Sequence, residues 1–476
     1  MGALQEKGAG RDAIFAELER YQEKDVDWRT GKLLTGLYDA GESAHGIAVE
    51  AYTRFLAQNA LYINMYPSLG RLEKDVVSSI AELLRADDDV VGTITSGGTE
   101  SILMAVKTAR DWAREHRPEI KEPEIVVPVT AHPAFLKAAH YLGLRTVQTP
   151  VEPIGFRADV EAFREALGPN VILGVASAPN FSHGTIDPVA EMAPLAKERG
   201  ILFHVDGCVG GIYLSVLRRM GATLRDFDFS VPGVTSISAD LHKYGYAPKN
   251  ASVVLYRDRD LRKHAWFVCS ETTEYAVINP TALSSRTGGP IAAAWAMLRF
   301  LGEEGYRRIV ADSQDATARM LAGIDSIAGI RVLGDPEMCM FTIVSEEINV
   351  FELDDGMRAR GWRLLPQFAC GGGPANLHVS VSHANVPHVD LFLKDLREVV
   401  EEIRRCGPSV DRADFARVAA GVAGRPLEEV LMAVAPLIGI TGTDVPENMA
   451  ALNTMLDLLP ARSRDELLTA FVNMTG

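Results

Sequence analysis

Three short segments of this sequence carry residue types, in an order, that could do chemistry on an anionic ligand. The first is Thr93-Ile-Thr-Ser-Gly-Gly-Thr-Glu-Ser101, followed by ILMAVKTARDWAREH with its apolar residues on one helical face. A strand, a Gly pair and a hydroxyl residue opening a helix leave backbone N–H groups unpaired at the positive end of the helix dipole, which suits a phosphate. Such glycines also serve tight packing, so alone this segment divides evenly between the two uses. No Gly-Lys-Ser/Thr follows, so it is not a Walker loop. The second segment, ILFHVD, is an apolar strand ending in Asp206 and followed by Gly207-Cys-Val-Gly-Gly211. A carboxylate there faces the ligand edge of a parallel sheet and needs a cation or strong donors, although taken singly a helix cap is the commoner use. The third, Thr235-Ser-Ile-Ser-Ala-Asp-Leu-His-Lys-Tyr-Gly245, sets Lys243 just past another strand, after His242 and beside an aromatic residue. A partly desolvated lysine there is a better nucleophile, whereas most lysines after strands are simply solvated.

Together these segments bring an anion cradle, a carboxylate and a lysine to one sheet edge in chain order. Those are the three handles that pyridoxal 5'-phosphate requires. Gly98 and Thr99 would hold its phosphate, Asp206 would keep its ring nitrogen protonated, and Lys243 would form the covalent link. His132, in PVTAHPAF after a further strand, is a candidate to stack on the ring, with capping of the next helix as the equal alternative.

The elements that must position these residues are legible as alternation. From about Asp89 to Tyr256, β-branched runs (IVVPV at 125–129, RTVQTPV at 145–151, VILGVAS at 171–177, ILFHVD at 201–206, TSISAD at 235–240, SVVLYR at 252–257) alternate with amphipathic helices. That pattern predicts an α/β fold with a mostly parallel sheet flanked by helices, whose ligands lie beyond the carboxyl ends of the strands. Charged helical segments at Ala13–Tyr21 and Ala48–Leu61 precede it, and a long helix from Gly289 to Ala328 follows. The expected organisation is a helical segment at 1–65, a large ligand-binding domain at 66–310, a smaller α/β domain at 311–406 and a helical tail at 407–476 with a loop at ITGTDVPEN.

Composition narrows the partners. In 476 residues, 48 basic against 63 acidic side chains give a net charge of −15, which repels phosphate backbones and argues against nucleic acid as a partner. Five scattered cysteines without a C-x-x-C pair favour a reducing compartment, no structural zinc and no metal centre. With no apolar signal core and no apolar run of membrane-spanning length, the expectation is a cytoplasmic protein without an integral membrane segment.

In order and spacing, SGGTES, TAHPAF, SAPNFSHGTIDP, HVDGCVGG, VPGVTSISADLHKYGYAPK and SSRTGGP resemble the sphingosine-1-phosphate lyase family, pyridoxal-phosphate enzymes of fold type I in the decarboxylase-like branch. The resemblance runs from about Gly31 to Cys406 and more loosely through ENMAALNTMLDLL. It implies that Lys243 bears the cofactor, Asp206 holds its ring nitrogen, His132 stacks on it, and Gly98, Thr99 and His242 hold its phosphate. It also implies a homodimer with shared active sites, in which the Ser285-Arg-Thr-Gly-Gly289 loop, with Gly288 and Gly289, reaches the neighbouring subunit's cofactor phosphate. The implied reaction is retro-aldol cleavage of the Cα–Cβ bond of a phosphorylated long-chain base, a lipid substrate, giving a fatty aldehyde and phosphoethanolamine. Lys243, Tyr38 and His183 are the candidate proton carriers, unranked. Tyr38, Tyr62, Lys249 and Asn180 are the expected substrate contacts.

Two departures from the family pattern stand out. Its His-Pro-Asp is replaced by Tyr62-Ile63-Asn64, and a tyrosine cannot become cationic, so a substrate phosphate would lose a contact worth about 1.5–3 kcal/mol. In SETTEYAVINPT, Thr272 and Val277 stand where the family has Trp and Tyr, and Phe181 stands where some relatives carry Tyr. The competing enzyme reading is a group II amino-acid decarboxylase, which shares the cofactor handles; LHVSVSHAN, with His378 and His383 and no Arg, disfavours a carboxylate-holding site. A cofactor-binding scaffold without catalysis is the third reading.

Overall fold

A computed structural model of the protein describes residues 6–273, 275–422, 424–425, 427–438 and 448–475. The charged N-terminal segment forms α1 (Arg11–Gln22) and α2 (Glu42–Arg54), and Pro67 opens α3 (Pro67–Leu83), where its fixed φ suits a first helical turn. α1 buries none of its residues; Ile14, Phe15 and Leu18 are 46%, 51% and 49% exposed. α2 ends earlier than the expected Leu61. Residues beyond it are drawn into turns against the 285–288 loop, where Ala60 N–H donates to Arg286 O and Gly288 N–H to Gln58 O, both at 2.8 Å.

The β-branched runs become strands. In chain order come β1 (Val91–Thr95), α4 (Gly98–His116), β2 (Glu124–Pro128), α5 (Ala134–Leu142), β3 (Arg145–Thr149), α6 (Val160–Ala166), β4 (Val171–Ser177), α7 (Val189–Glu198), β5 (Leu202–Asp206), α8 (Gly210–Arg219), β6 (Ser236–Ala239) and β7 (Ser252–Tyr256). They form one sheet of seven strands in the order β1-β7-β6-β5-β4-β2-β3. Neighbours from β6 through β3 pair in parallel, while β7 is antiparallel to both β6 and β1. β1 therefore points the same way as β2, β4, β5 and β6, and the carboxyl ends of all five share one edge. Every residue of β4 is buried, as expected of a strand covered on both faces.

The chain continues through α9 (Arg259–Arg262), a ribbon of β8 (Phe267–Cys269) and β9 (Val277–Asn279), and α10 (Gly289–Asp325). α10 carries the chain across the expected boundary at 310/311, and its backbone breaks at Gly302, where φ is +54°. The smaller unit comprises β10 (Arg331–Leu333), β11 (Met340–Val344), α11 (Val350–Ala359), β12 (Leu365–Gln367), β13 (Asn376–Ser380) and α12 (Val389–Cys406). Its sheet, β10-β11-β13-β12, is antiparallel throughout. Leu34 ties the N-terminal segment to this unit: its N–H donates to Arg363 O at 2.9 Å and its O accepts from Ser380 N–H at 2.7 Å. The tail forms α13 (Arg412–Val422), α14 (Leu427–Ile438), α15 (Ala450–Leu458) and α16 (Ala461–Thr475). Asp457 fastens it, accepting from Ala369 N–H at 2.6 Å and from Arg412 at 2.7 Å. Apart from Asn448, the loop expected at ITGTDVPEN lies outside the described residues, as does Glu274. Among the described residues no helix is long and apolar enough to cross a membrane.

Burial of imidazoles makes the fold acid-sensitive. Burial pushes His183, His204 and His378 each down to about 4, so between pH 6.5 and 4 the unfolded chain binds protons that the folded chain does not. Stability is lost as pH falls through that window. Asp187, pushed up by burial to about 6 against the N–H groups of Ala158 and Ser177, has the opposite sign, because the folded chain binds its proton first. Three groups outweigh one. Lowering the pH from 7 to 4.5 is expected to remove on the order of 5 kcal/mol through these four groups, read as a falling thermal midpoint; a level midpoint would contradict the assignment.

Candidate active site

Five strands ending at one edge deliver five turns to one place. β1 leads into Ser96-Gly97-Gly98, β2 into His132, β4 into Pro179 and Phe181, β5 ends in Asp206, and β6 leads into Asp240, His242 and Lys243. All line a single cavity of about 300 Å³.

At one wall α4 begins without a side-chain cap, and Gly97, at φ +147°, turns the chain in a conformation that favours glycine. The first-turn N–H groups of Gly98 and Thr99 have no acceptor within the helix. A Cβ on Gly98 would lie 2.8 Å and 2.9 Å from the carboxylate oxygens of Asp240 and 2.9 Å from Cys208 Sγ, so the backbone itself must form this wall. Glu100 braces the turn, accepting from Ser96 N–H at 2.5 Å and from Ala282 N–H at 2.7 Å. Asp206 is 7% exposed, and its Oδ1 accepts from Cys208 N–H at 3.0 Å. Lys243 Nζ lies 2.9 Å from Asp240 Oδ2, and His242 Nε2 lies 3.6 Å from the same oxygen. His242 Nδ1 sits 2.7 Å from Ala251 O, and His132 Nδ1 accepts from Ala134 N–H at 3.1 Å, so His132 both caps α5 and lines the cavity. Burial, ahead of the neighbouring carboxylates, pushes both imidazoles below their ordinary range, so both are neutral at pH 7.

A second cavity of about 650 Å³ shares His242 with the first and is lined by Tyr38, Tyr52, Tyr246, Lys249 and mostly apolar residues of the N-terminal segment. Lys249 Nζ donates to Gly36 O at 3.0 Å and lies 5.2 Å from the centre of the Tyr38 ring. Burial, then the charge of Lys243, hold the Lys249 ammonium below its usual range. Tyr38 packs edge-on against Tyr244 at 4.9 Å, and burial raises its hydroxyl above the usual value.

Other sequence candidates lie elsewhere in the single chain. Asn180 is fully buried and spends its amide on the loops around it, donating to Phe156 O in a preceding loop and to Thr185 Oγ1 in its own, both at 2.8 Å. His183 stacks on Phe156 at 4.5 Å and lines neither cavity. Tyr62 is 40% exposed and Ser285 Oγ accepts from Asn59 at 3.2 Å, while Gly288 and Gly289 open α10 against Leu69 and Tyr52; none lines the cavity of Lys243. The residue that sequence reasoning missed is Asp240. Its signal was its position three residues before Lys243, the reach of one tight turn. At the far end of α4, ligand atoms of Glu115, His116 and His264 gather within 4.8 Å, where Lys263 already holds Glu115 at 2.9 Å.

The size of the first cavity, its open helix terminus, the Asp206 carboxylate and the lysine fit pyridoxal phosphate, whose anion, ring nitrogen and aldehyde would each find a matching group. Comparison with known proteins agrees. The profile described as the pyridoxal-dependent decarboxylase conserved domain matches residues 2–342, and the C-terminal domain of pyridoxal-dependent enzymes named HTH matches residues 413–474. The chain is 39% identical to the sphingosine-1-phosphate lyase of Arabidopsis thaliana over 406 residues, 84% of this chain and 73% of the relative. It is 40% identical to sphingosine-1-phosphate lyase 1 of Rattus norvegicus over 408 residues, 84% and 70% of the two chains. Among solved structures, the sphingosine-1-phosphate lyase of Burkholderia pseudomallei superposes with a TM-score of 0.80 at 35% identity, covering 90% of this chain and 98% of the other. The glutamate decarboxylase of Lactobacillus brevis, at 18% identity and a TM-score of 0.75, shares the fold. Pyridoxal phosphate is the cofactor, and the chain belongs to the sphingosine-1-phosphate lyase family of pyridoxal-dependent enzymes.

Proposed function

We propose that the protein cleaves the Cα–Cβ bond of a phosphorylated long-chain base by retro-aldol chemistry, releasing a long-chain aldehyde and phosphoethanolamine. The observation that carries this reading is the adjacency of the two cavities through His242: one holds Lys243, Asp206 and the open end of α4, the other an apolar wall with Lys249 and Tyr38 at it. Bound pyridoxal phosphate supplies an electron sink for the pair released from the broken bond. Gly98, Thr99 and His242 hold its anionic end. Asp206 keeps a proton on its ring nitrogen, and the buried setting strengthens that charge interaction. His132, which lines the same cavity, would pack against the cofactor's ring. Lys249, an ammonium beside apolar walls, receives the substrate's phosphate while the 650 Å³ cavity takes its chain. Incubation of purified protein with a phosphorylated long-chain base is expected to yield aldehyde; carbon dioxide from amino acids instead would establish the decarboxylase reading.

Lys249→Ala is expected to raise KM for the phosphorylated substrate by about 10–100-fold, the loss of one charge-assisted contact, with little change for the unphosphorylated base. Equal loss for both would make Lys249 a structural residue.

The active unit is a homodimer. A 12-residue helix with no buried side chain is not stable on its own, so α1 calls for cover by a second copy. Tyr62 and the loop at Ser285, Gly288 and Gly289, which do not reach their own chain's cofactor cavity, serve the partner's. The protein works in the cytoplasm.

A further inference from the structure

Asp240 has no part in the steps above, yet among the described residues it is the only carboxylate in an ion pair with Lys243, at 2.9 Å. Its side chain is 2% exposed, and its Oδ1 is buried without a hydrogen-bond partner. A Cβ on Gly98 would lie 2.8 Å from the carboxylate, which therefore borders the first residue of α4. A buried carboxylate is tolerated only when paired, and the pairing is mutual. Burial pushes Asp240 up, but the Lys243 ammonium outweighs it and holds the carboxyl below its ordinary range. Burial pushes Lys243 down, but Asp240 outweighs it and holds the ammonium above its ordinary range. The other groups facing the pair are His132, His242, Tyr38 and Cys208, which burial keeps neutral, the Asp206 carboxylate and the Lys249 ammonium.

An ammonium has no lone pair with which to attack a carbonyl. The pair therefore has two consequences of opposite sign: it slows attachment of cofactor to the empty chain, and it keeps a proton at hand once Lys243 has been displaced by substrate. We propose that Asp240 is a positioning residue that stabilises the displaced Lys243 as an ammonium, making Lys243 the donor of the proton that Cα gains; this rests on the retro-aldol reading. The balance closes without a further reactant. Displaced as a neutral amine, Nζ takes the proton of the substrate's β-hydroxyl as the C=O bond of the aldehyde forms and the Cα–Cβ bond breaks. The electron pair left to Cα then forms a C–H bond with a proton from Nζ. Nζ, neutral again, has the lone pair it needs to displace the product.

The test uses full-length Asp240→Asn and Asp240→Glu proteins whose thermal melting shows them folded. Attachment of added pyridoxal phosphate to the empty chain is followed by the visible absorbance of the linked cofactor. Cα protonation is followed in a single turnover in heavy water by deuterium in the phosphoethanolamine. D240N is expected to attach cofactor about tenfold faster at neutral pH, the effect of lowering a lysine pKa by about one unit. As a base weaker by the same unit it is expected to take the β-hydroxyl proton, and so to deliver it to Cα, up to about tenfold more slowly, and D240E to restore part of both. A merely structural role slows both, and attachment no faster in D240N than in the natural chain overturns the proposal. If the natural chain attaches cofactor but releases no aldehyde, while D240N attaches it faster, the ion pair stands and the retro-aldol reading fails.

Discussion

Asp206→Asn will lower kcat by at least about 10²–10³-fold while leaving the cofactor bound and attached to Lys243. Asparagine keeps the shape of the side chain that closes β5 and can still accept from Cys208 N–H, the 3.0 Å contact that fixes it, so the fold is not at stake. On the proposed reading what is lost is the charge that would keep a proton on the cofactor's ring nitrogen, in a site where Asp206 is only 7% exposed and solvent cannot replace it. The attached-cofactor absorbance is expected to survive and product formation to collapse. Activity within a few-fold of the natural chain would mean that another group, with Asp240 the nearest in kind, serves the ring nitrogen.

Lys243→Ala carries the second large effect. The variant loses the nucleophile, the base and the acid together, so turnover is expected to fall by roughly 10⁴-fold or more, with no covalent cofactor. It also leaves Asp240, 2% exposed, without its cation. An uncompensated buried carboxylate costs about 3–5 kcal/mol unless it takes up a proton, so the empty variant should melt lower at pH 8 than at pH 5.5 relative to the natural chain. The double substitution Lys243→Ala with Asp240→Asn should recover that stability and none of the activity. If Lys243→Ala melts as the natural chain does at both pH values, the ion pair contributes nothing to the fold.

Much of this site could be read before the fold was seen because a parallel sheet converts chain order into spatial adjacency. Residues just after β1, β2, β5 and β6 must meet at one edge, which is why Gly98, His132, Asp206 and Lys243 converge. The reversed direction of β7 was not legible, since SVVLYR has the same local pattern whichever way it runs. The antiparallel pairing of the smaller sheet was hidden for the same reason. Asn180 and His183 lie within two residues of Phe181 in sequence, yet the turn uses them differently: Phe181 lines the cavity, Asn180 ties the turn to Phe156 and Thr185, and His183 stacks on Phe156. Tyr62 and Ser285 could not be placed from one chain's pattern, because they belong to a face that the chain's own cofactor cavity does not include. Asp240 was in plain view in DLHK, but a carboxylate three residues before a lysine looks like an ordinary turn until burial removes its water.

Reduction of the purified protein with borohydride, followed by proteolysis and mass mapping, reads the point at which the cofactor is attached. One pyridoxyl-labelled peptide is expected, carrying its label on Lys243, and none in Lys243→Ala. A label on another lysine, or a natural chain that gains none after incubation with pyridoxal phosphate, would contradict attachment at Lys243.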